Sequence, residues 1–409
     1  MNEKILTFIW LNRLFDSSEL FTTEGEIVSI IKTGLLNTQS GPDITDAQIR
    51  IGSILWVGNV EFHVKSSHWK LHHHDDDPAY SNIILHVVFE DDLPLIDKFG
   101  KLVSTLVLKF RNDYLQRYEM LMSQKDNKLC SQQISRMDSF ISLEFLTRLA
   151  LERLESKKQH FKEILSYNQN DWYQTFWQVL ARNFGFGKNN DGFELTAKAL
   201  PYKLILKNFE SFQDVLSMLM GQAGFLDSAH YKDVDKELLL SRYRYNQMRY
   251  NLEPLNTSVW KFSGFRPQNS PFVRMRQLAA FITKSQFLMS ELLECKSLEE
   301  FIEFFNFQSN IEIPALSISC RRLLIINLVC PLLVLYSQQH DHSQHADIAV
   351  SLLEELPSEE NSIVKRCRES GMIINDALGS QACLQLHNSY CQQLRCIECQ
   401  IGRVFVSRG

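Results

Sequence analysis

The 409-residue chain is 44% hydrophobic, 22% charged and 11% aromatic, with a formal net charge of −5. That composition supports packed cores and excludes wholesale disorder. It also excludes a globally basic nucleic-acid wrapper, so any phosphate backbone must be held by a local cluster of Lys and Arg.

The length leaves room for two or three domains. The opening MNEKILTFIWLNRLF reads as an amphipathic helix rather than a signal peptide. Thr23-x-x-Glu26 has the form of a capping box, Ile27, Ile30 and Ile31 make a helical stripe, and Gly34 supplies a stop, which together predict a second helix. Four strands follow from period-two and apolar runs at 47–51, 54–64, 83–89 and 103–110. From about Phe140 the texture is helical, with long amphipathic patterns at 141–165 and 172–184 and more helices to about Leu353. One of these is expected to start at Asn269 or Ser270, with Pro271 at its first position.

The most apolar run, Leu323–Tyr336, is short for a membrane span and contains Pro331, so a broken buried helix is expected and no membrane partner. Nine cysteines without an export signal point to a reducing cytoplasm. The expected fold class is α+β in three consecutive blocks. These are an α/β sandwich over 1–125, a helical domain over 126–360 and a helical, cysteine-bearing tail over 361–409.

The run from Ser40 to Trp69 carries charge where a plain core strand has none. On a strand, Glu61, His63 and Lys65 share one face, and Val60, Phe62 and Val64 share the other. Residues two apart lie roughly 7 Å apart, so Glu61 and His63 can serve one centre, while Lys65 needs its long stem to reach it. Asp43 must come from the preceding strand. A strict two-residue hairpin at Gly52-Ser53 sets Asp43 opposite Phe62, on the wrong face. A bulge at Gly58-Asn59 on the second strand would instead set it opposite His63. Paired carboxylates suit Mg²⁺ or Mn²⁺, which polarise a phosphate and lower the pKa of bound water. Asp43 and Glu61 are therefore the candidate metal ligands, with His63 and Lys65 orienting water and phosphate.

Pro42-Asp43, seventeen residues and then Glu61-Phe62-His63 resembles the PD-(D/E)xK nuclease superfamily, with His63 in the slot usually held by Lys and with Lys65 two residues on. The resemblance implies a restriction-endonuclease-like sandwich, a nucleic-acid substrate and an accessory helix Glu, for which Glu24 or Glu26 is the candidate. The stretches Asn37-TQSGPD, Gly58-NVEFHVKSSHW, His72-HHDDDPAY, Ile84-LHVV, Phe265-RPQNSP and Tyr390-CQQLRCIECQIG resemble a bacterial family known as a domain of unknown function. Its pattern has Asp where this chain has His68 and Gly where it has His73.

Three further clusters carry chemistry. His72 and His74 with Asp77 could bind zinc or manganese, position phosphate, or cap the short helix near Pro78, while His86 on the next strand fits a hydrogen-bonded core residue. Cys391, Cys396 and Cys399, at C-x4-C-x2-C spacing, suit Zn²⁺ or an Fe–S cluster if Cys130, Cys367 or Cys383 adds a fourth thiolate. Cys130 is attractive because it would staple the two ends of the chain, and three packed core thiols are the alternative. Arg266, Asn269, Arg274 and Arg276 gather at one helix start, and Arg148, Arg153, Lys157 and Lys158 lie on an earlier helix. Tyr243, Arg244, Tyr245, Arg249 and Tyr250 interleave rings with charge. Such faces hold a nucleic-acid backbone or form ordinary ion-paired helix surfaces. Three functions are carried forward: a Mg²⁺- or Mn²⁺-dependent nuclease, a non-catalytic nucleic-acid-binding scaffold, and a hydrolase of small phosphoesters.

Overall fold

The computed structural model of the chain describes residues 3–408, apart from positions 19, 38–39, 73, 75–76, 97–101, 124–127, 135–138, 311–312 and 342. His73, Asp75 and Asp76 of the polar run thus lie outside the described residues. The chain forms two compact units rather than three consecutive blocks. Unit 1 is Met1–Ser142 with Arg366–Met372 and Leu386–Gly409, and unit 2 is Leu143–Lys365 with Ile373–Gln385. The cysteine-bearing tail is therefore divided: Arg366–Met372 and Leu386–Gly409 belong to unit 1, and Ile373–Gln385, with Cys383, to unit 2.

Unit 1 opens with α1 (Glu3–Leu11), whose residues Ile5 to Trp10 are all buried. Next come β1 (Val28–Lys32), β2 (Leu35–Leu36), β3 (Ile44–Ile51), β4 (Ile54–Lys65), α2 (His68–Leu71), β5 (Ile83–Glu90), β6 (Thr105–Val107), α3 (Asn112–Ser123) and α4 (Lys128–Ile134). The sheet order is β1-β3-β4-β5-β6, with β2 paired to β3. β1, β3 and β4 run antiparallel, and β4, β5 and β6 run parallel.

The predicted helix over 23–34 is instead a turn and a strand. Glu26 N–H donates to the Thr22 hydroxyl, and Thr22 N–H donates to the Glu26 carbonyl at 2.9 Å, which closes a tight turn. The β-branched run that follows pairs with β3, Val28 facing Ile51, and leaves Ile27 and Ile31 exposed. Gly34 ends the strand rather than a helix. Its φ is +90°, and a Cβ there would lie 2.4 Å from the Ile44 side chain.

α1 packs against β4, and Trp10 meets Phe62 edge-on at 5.7 Å. Ile5, Ile9, Phe62, Val87 and Leu106 share one core with Phe405 and Val406 of the last helix, Gln400–Arg408. The two halves of β4 differ. Ile54–Val57 are exposed, whereas Val60–His63, held between β3 and β5, are buried.

Unit 2 is helical, and its first helices are α5 (Ser139–Tyr167), α6 (Trp172–Phe184), α7 (Asn190–Ala199), α8 (Tyr202–Leu206), α9 (Phe212–Gln222), α10 (Lys236–Tyr250) and α11 (Pro271–Ile282). Ser270 caps α11 by accepting from Val273 N–H, with Pro271 at the first position, as its residue types predict. Ile318–His340 is unbroken, in contrast to the expected break at Pro331. A π-helical turn, Ile325–Val329, absorbs the hydrogen bond that proline cannot make. This helix is long and apolar enough to cross a membrane by length and composition, and 56% of its apolar window is buried inside the protein.

Candidate active site

The register between β3 and β4 decides what Asp43 can do. Ile51 faces Ile54 and Ala47 faces Gly58, but Ile44 faces Val60. Thr45 and Asp46 therefore stand opposite the single residue Asn59, a bulge in β3, with Asp46 at φ +56°. The extra residue lies on the first strand, not at Gly58-Asn59 on the second as expected. A one-residue slip turns every later side chain to the other face. Asp43 consequently meets Glu61 rather than Phe62 or His63. Asp43 N–H donates to Glu61 Oε2 at 3.0 Å, and Phe62 N–H donates to Asp43 Oδ2 at 3.2 Å.

Glu61 is only 5% exposed. Burial pushes the Glu61 carboxyl up to about 8, and the charges of Asp43 and Glu3 add to the rise. Burial likewise raises Asp43 to about 6, against the opposing effect of the Phe62 N–H. Glu3, in the first turn of α1, adds a third carboxylate to this neighbourhood, and its Oε1 lies 3.9 Å from His68 Nδ1. The helix glutamate near these carboxylates is thus Glu3, and not Glu26 as expected. Glu26 is exposed, with its carboxylate beside Gly52 at the hairpin end of β3, at the far end of that strand from Asp43.

Beside the carboxylates stands a group of imidazoles. His63 is fully buried on β4, its Nδ1 2.9 Å from His86 Nε2 and its Nε2 3.1 Å from His72 Nδ1. One nitrogen of each pair must donate and the other accept, which a neutral His63 satisfies by donating from one ring nitrogen and accepting at the other. Burial, then the neighbouring imidazoles, depress His63 to about 2, and burial and His74 depress His86 to about 3. His74 Nε2 lies 3.4 Å from Glu61 Oε1, which joins the two groups. Nitrogen atoms of His63, His72 and His74 all lie within 4.8 Å of one another, close enough to ligate one ion. Tyr80 stacks on His74 at 3.9 Å, and the edge of Trp69 meets His74 and His86 at 5.3 and 5.4 Å. Asp77 is not among the ligand atoms that lie within reach of one ion, and it caps its own turn, accepting from Ala79 N–H at 2.9 Å.

Other residues expected at the site lie elsewhere. Lys65 forms an exposed ion pair at 3.2 Å with Glu90, its direct neighbour on β5. Arg274, expected to hold a phosphate backbone, is buried in unit 2, donates to Gln277 and Asn269, and lies over the Phe186 ring. Asn269 is thereby spent as its partner, while Arg266 is exposed at the start of the same turn. Arg276 is also buried, 2.8 Å from both Asp233 and Asp235.

The architecture and site define a mixed α+β protein with a buried carboxylate and imidazole cluster on its sheet. The chain belongs to the family described as "Protein of unknown function (DUF2851)", which matches residues 3–362. No curated protein and no solved structure matches it.

Proposed function

We propose that unit 1 is a divalent-metal-dependent phosphodiesterase, a nuclease acting on DNA or RNA. The carrying observation is that the β3 bulge sets the half-buried Asp43 opposite the buried Glu61, with Asp43 N–H donating to the Glu61 carboxylate. Carboxyls raised by burial, and further by neighbouring carboxylates, are poorly placed for stability and well placed to receive a cation. A helix, three antiparallel strands, a short helix and a parallel strand also follow the order of the PD-(D/E)xK core, with Glu3 where that family places its helix Glu.

The donor set fits Mg²⁺ or Mn²⁺, with oxygens from Asp43, Glu61 and Glu3. Such an ion supplies Lewis-acid polarisation of the phosphate and a more acidic bound water. His63, held neutral between two imidazoles, serves to position rather than to take a proton at neutral pH. His72 is the exposed end of that chain. A second reading, a hydrolase of small phosphoesters, draws on the proximity of His63, His72 and His74, which suits zinc or manganese.

The test is cleavage of single- and double-stranded DNA and RNA with Mg²⁺ or Mn²⁺, comparing the intact chain with Asp43→Ala and Glu61→Gln. Metal-dependent cleavage lost in both variants supports the nuclease. Equal cleavage in wild type and Asp43→Ala removes Asp43 from the mechanism and sinks the reading. Turnover of bis(p-nitrophenyl) phosphate but not of polynucleotides, lost in His74→Ala, selects the second reading. Metal binding without turnover of either leaves the nucleic-acid-binding scaffold.

A further inference from the structure

The helical unit holds a cavity whose cations are unmatched. Arg153 and Lys157 stand one turn apart on α5, so their side chains leave the same face of the helix. Both line a cavity of about 550 Å³ within unit 2, together with Asn327, Glu359, Phe161 and Phe186. Asn327 comes from the π-helical turn Ile325–Val329, and Lys157 Nζ donates to its Oδ1 at 2.7 Å. The Gln381 amide is 2% exposed, and its oxygen accepts from Lys157 Nζ at 2.6 Å and from Arg153 Nε at 2.7 Å. Its Nε2 donates to the Glu359 carboxylate.

Like charges one turn apart on a helix repel, and a recessed cation is ordinarily matched by a carboxylate. Arg182 and His160 line the same cavity and follow that rule. Arg182 reaches Asp191 and Glu194 at 2.7 and 2.6 Å, and His160 lies 3.7 Å from Glu194. Arg153 and Lys157 instead meet neutral amides and form no ion pair among the described residues. Glu359 is the one carboxylate in the described lining, so a positive charge is left uncompensated. The two Nη groups of Arg153 make no hydrogen bond among the described residues. Tying α5 to Gln381 and Asn327 needs a donor at each amide, not a guanidinium fork left open. Burial, and then Arg153, depress the Lys157 ammonium to about 7, against the opposing effects of Glu359 and Cys330. An anion in the cavity would reverse that depression and fill the fork.

A fork beside a point charge suits phosphate, which accepts from both at once. The volume is that of a small-molecule site, typically about 300–1,000 Å³. Anchorage on the buried Gln381 recesses both cations, which favours a terminal phosphate over a continuous polynucleotide backbone. We propose that this cavity binds a small phosphomonoester, its phosphate held by Arg153 Nη and Lys157 Nζ and its body set against Phe161, Phe186 and Leu323. The site is independent of the carboxylates of unit 1.

The test is calorimetric titration of the full chain with phenyl phosphate, inorganic phosphate, benzoate or a single-stranded oligonucleotide. EDTA is present, so that no cation in unit 1 holds phosphate. Phenyl phosphate should saturate one site per chain and bind more tightly than inorganic phosphate. Near pH 8 its binding should take up a proton, because Lys157 titrates at about 7 in the free protein. Arg153→Gln and Lys157→Met should each weaken it by about tenfold or more. Arg148→Gln, on the same helix but outside the lining, should not. Where a variant fails to fold, proton uptake by the wild type, read in two buffers of different ionisation enthalpy, decides. Binding without that uptake puts the anion away from Lys157 and overturns the proposal. So does tighter binding of benzoate, binding of the oligonucleotide alone, or no saturation by about 10 mM phenyl phosphate.

Discussion

One cluster in each unit gathers ionisable groups, and the two do so in opposite ways. Around Arg276 and Arg182 in unit 2, opposites meet. Arg276 reaches Asp233, Asp235 and the Tyr231 hydroxyl, each at 2.8 Å, and Arg182 reaches Asp191 and Glu194 at 2.7 and 2.6 Å. In unit 1, like meets like. Glu61 lies beside Asp43 and Glu3, and His63 beside His86, His72 and His74. A buried charge is tolerated when paired and hydrogen-bonded. The first arrangement therefore serves folding. The second opposes the ionisation of its own members, and the proposed cation among the carboxylates would relieve it.

The largest expected effect separates these two logics. Asp43→Ala should lower metal-dependent cleavage by about a thousandfold or more, roughly 4 kcal/mol of transition-state stabilisation, while costing the metal-free protein little stability. Arg276→Ala should do the reverse. Stranding Asp233 and Asp235 should cost about 3 kcal/mol in denaturant unfolding, with cleavage per folded molecule unchanged. A large stability loss in Asp43→Ala without metal would erase the distinction.

The next effect is a pH dependence of opposite sign within unit 1. The Glu61 carboxyl is raised from its ordinary 4.5 to about 8, so the native state holds this proton more tightly than the unfolded chain. That contribution is complete below about 4.5 and is lost as pH rises through about 8. His63 and His86 are depressed from 6.5 to about 2 and about 3, so theirs is present above 6.5 and lost as pH falls toward 3. Denaturation in EDTA should therefore show stability falling between pH 6.5 and 8, by at most about 1.4 kcal/mol per pH unit for one proton. Glu61→Gln should flatten that arm alone. Mn²⁺ must displace the same proton, so its apparent Kd should tighten up to about tenfold per pH unit over this range. A pH-independent Kd by calorimetry would remove Glu61 from the ligand set.

Much of the fold was legible because its signals are local. Alternating apolar runs marked β3, β4 and β5, and Ser270-Pro271 marked the start of α11. The segment after Thr23 was misread because Ile27, Ile30 and Ile31 fit a helical stripe, and only pairing with β3 makes it a strand. At the site, the residue types of Asp43, Glu61 and His63 were readable, as was the need for a bulge. Its position was not, because the positive φ of Asp46 leaves no mark that distinguishes it from a neighbouring polar residue. Glu3 was missed because its place depends on how α1 packs across β4, a contact without local signature. Arg274 was read as a surface charge, as Arg usually is, whereas Asn269, Gln277 and the Phe186 ring enclose it.

The smallest expected effect concerns Lys65, which shares a strand with the site and a family slot near His63. Its ammonium is 3.2 Å from Glu90, and both side chains are about half exposed. An exposed pair of this kind is worth less than about 1 kcal/mol, and the charge neutralised is that of Glu90 rather than of a substrate phosphate. Lys65→Met should therefore leave unfolding within about 1 kcal/mol of wild type and cleavage within a few-fold. The measurement is informative because the two outcomes imply different geometries. A hundredfold loss of cleavage, with stability intact, would mean that Lys65 leaves Glu90 for the phosphate once substrate is bound. The ion pair would then be a resting contact, and the contrast between a self-opposing site and its ordinarily paired surroundings would have to be redrawn to include β5.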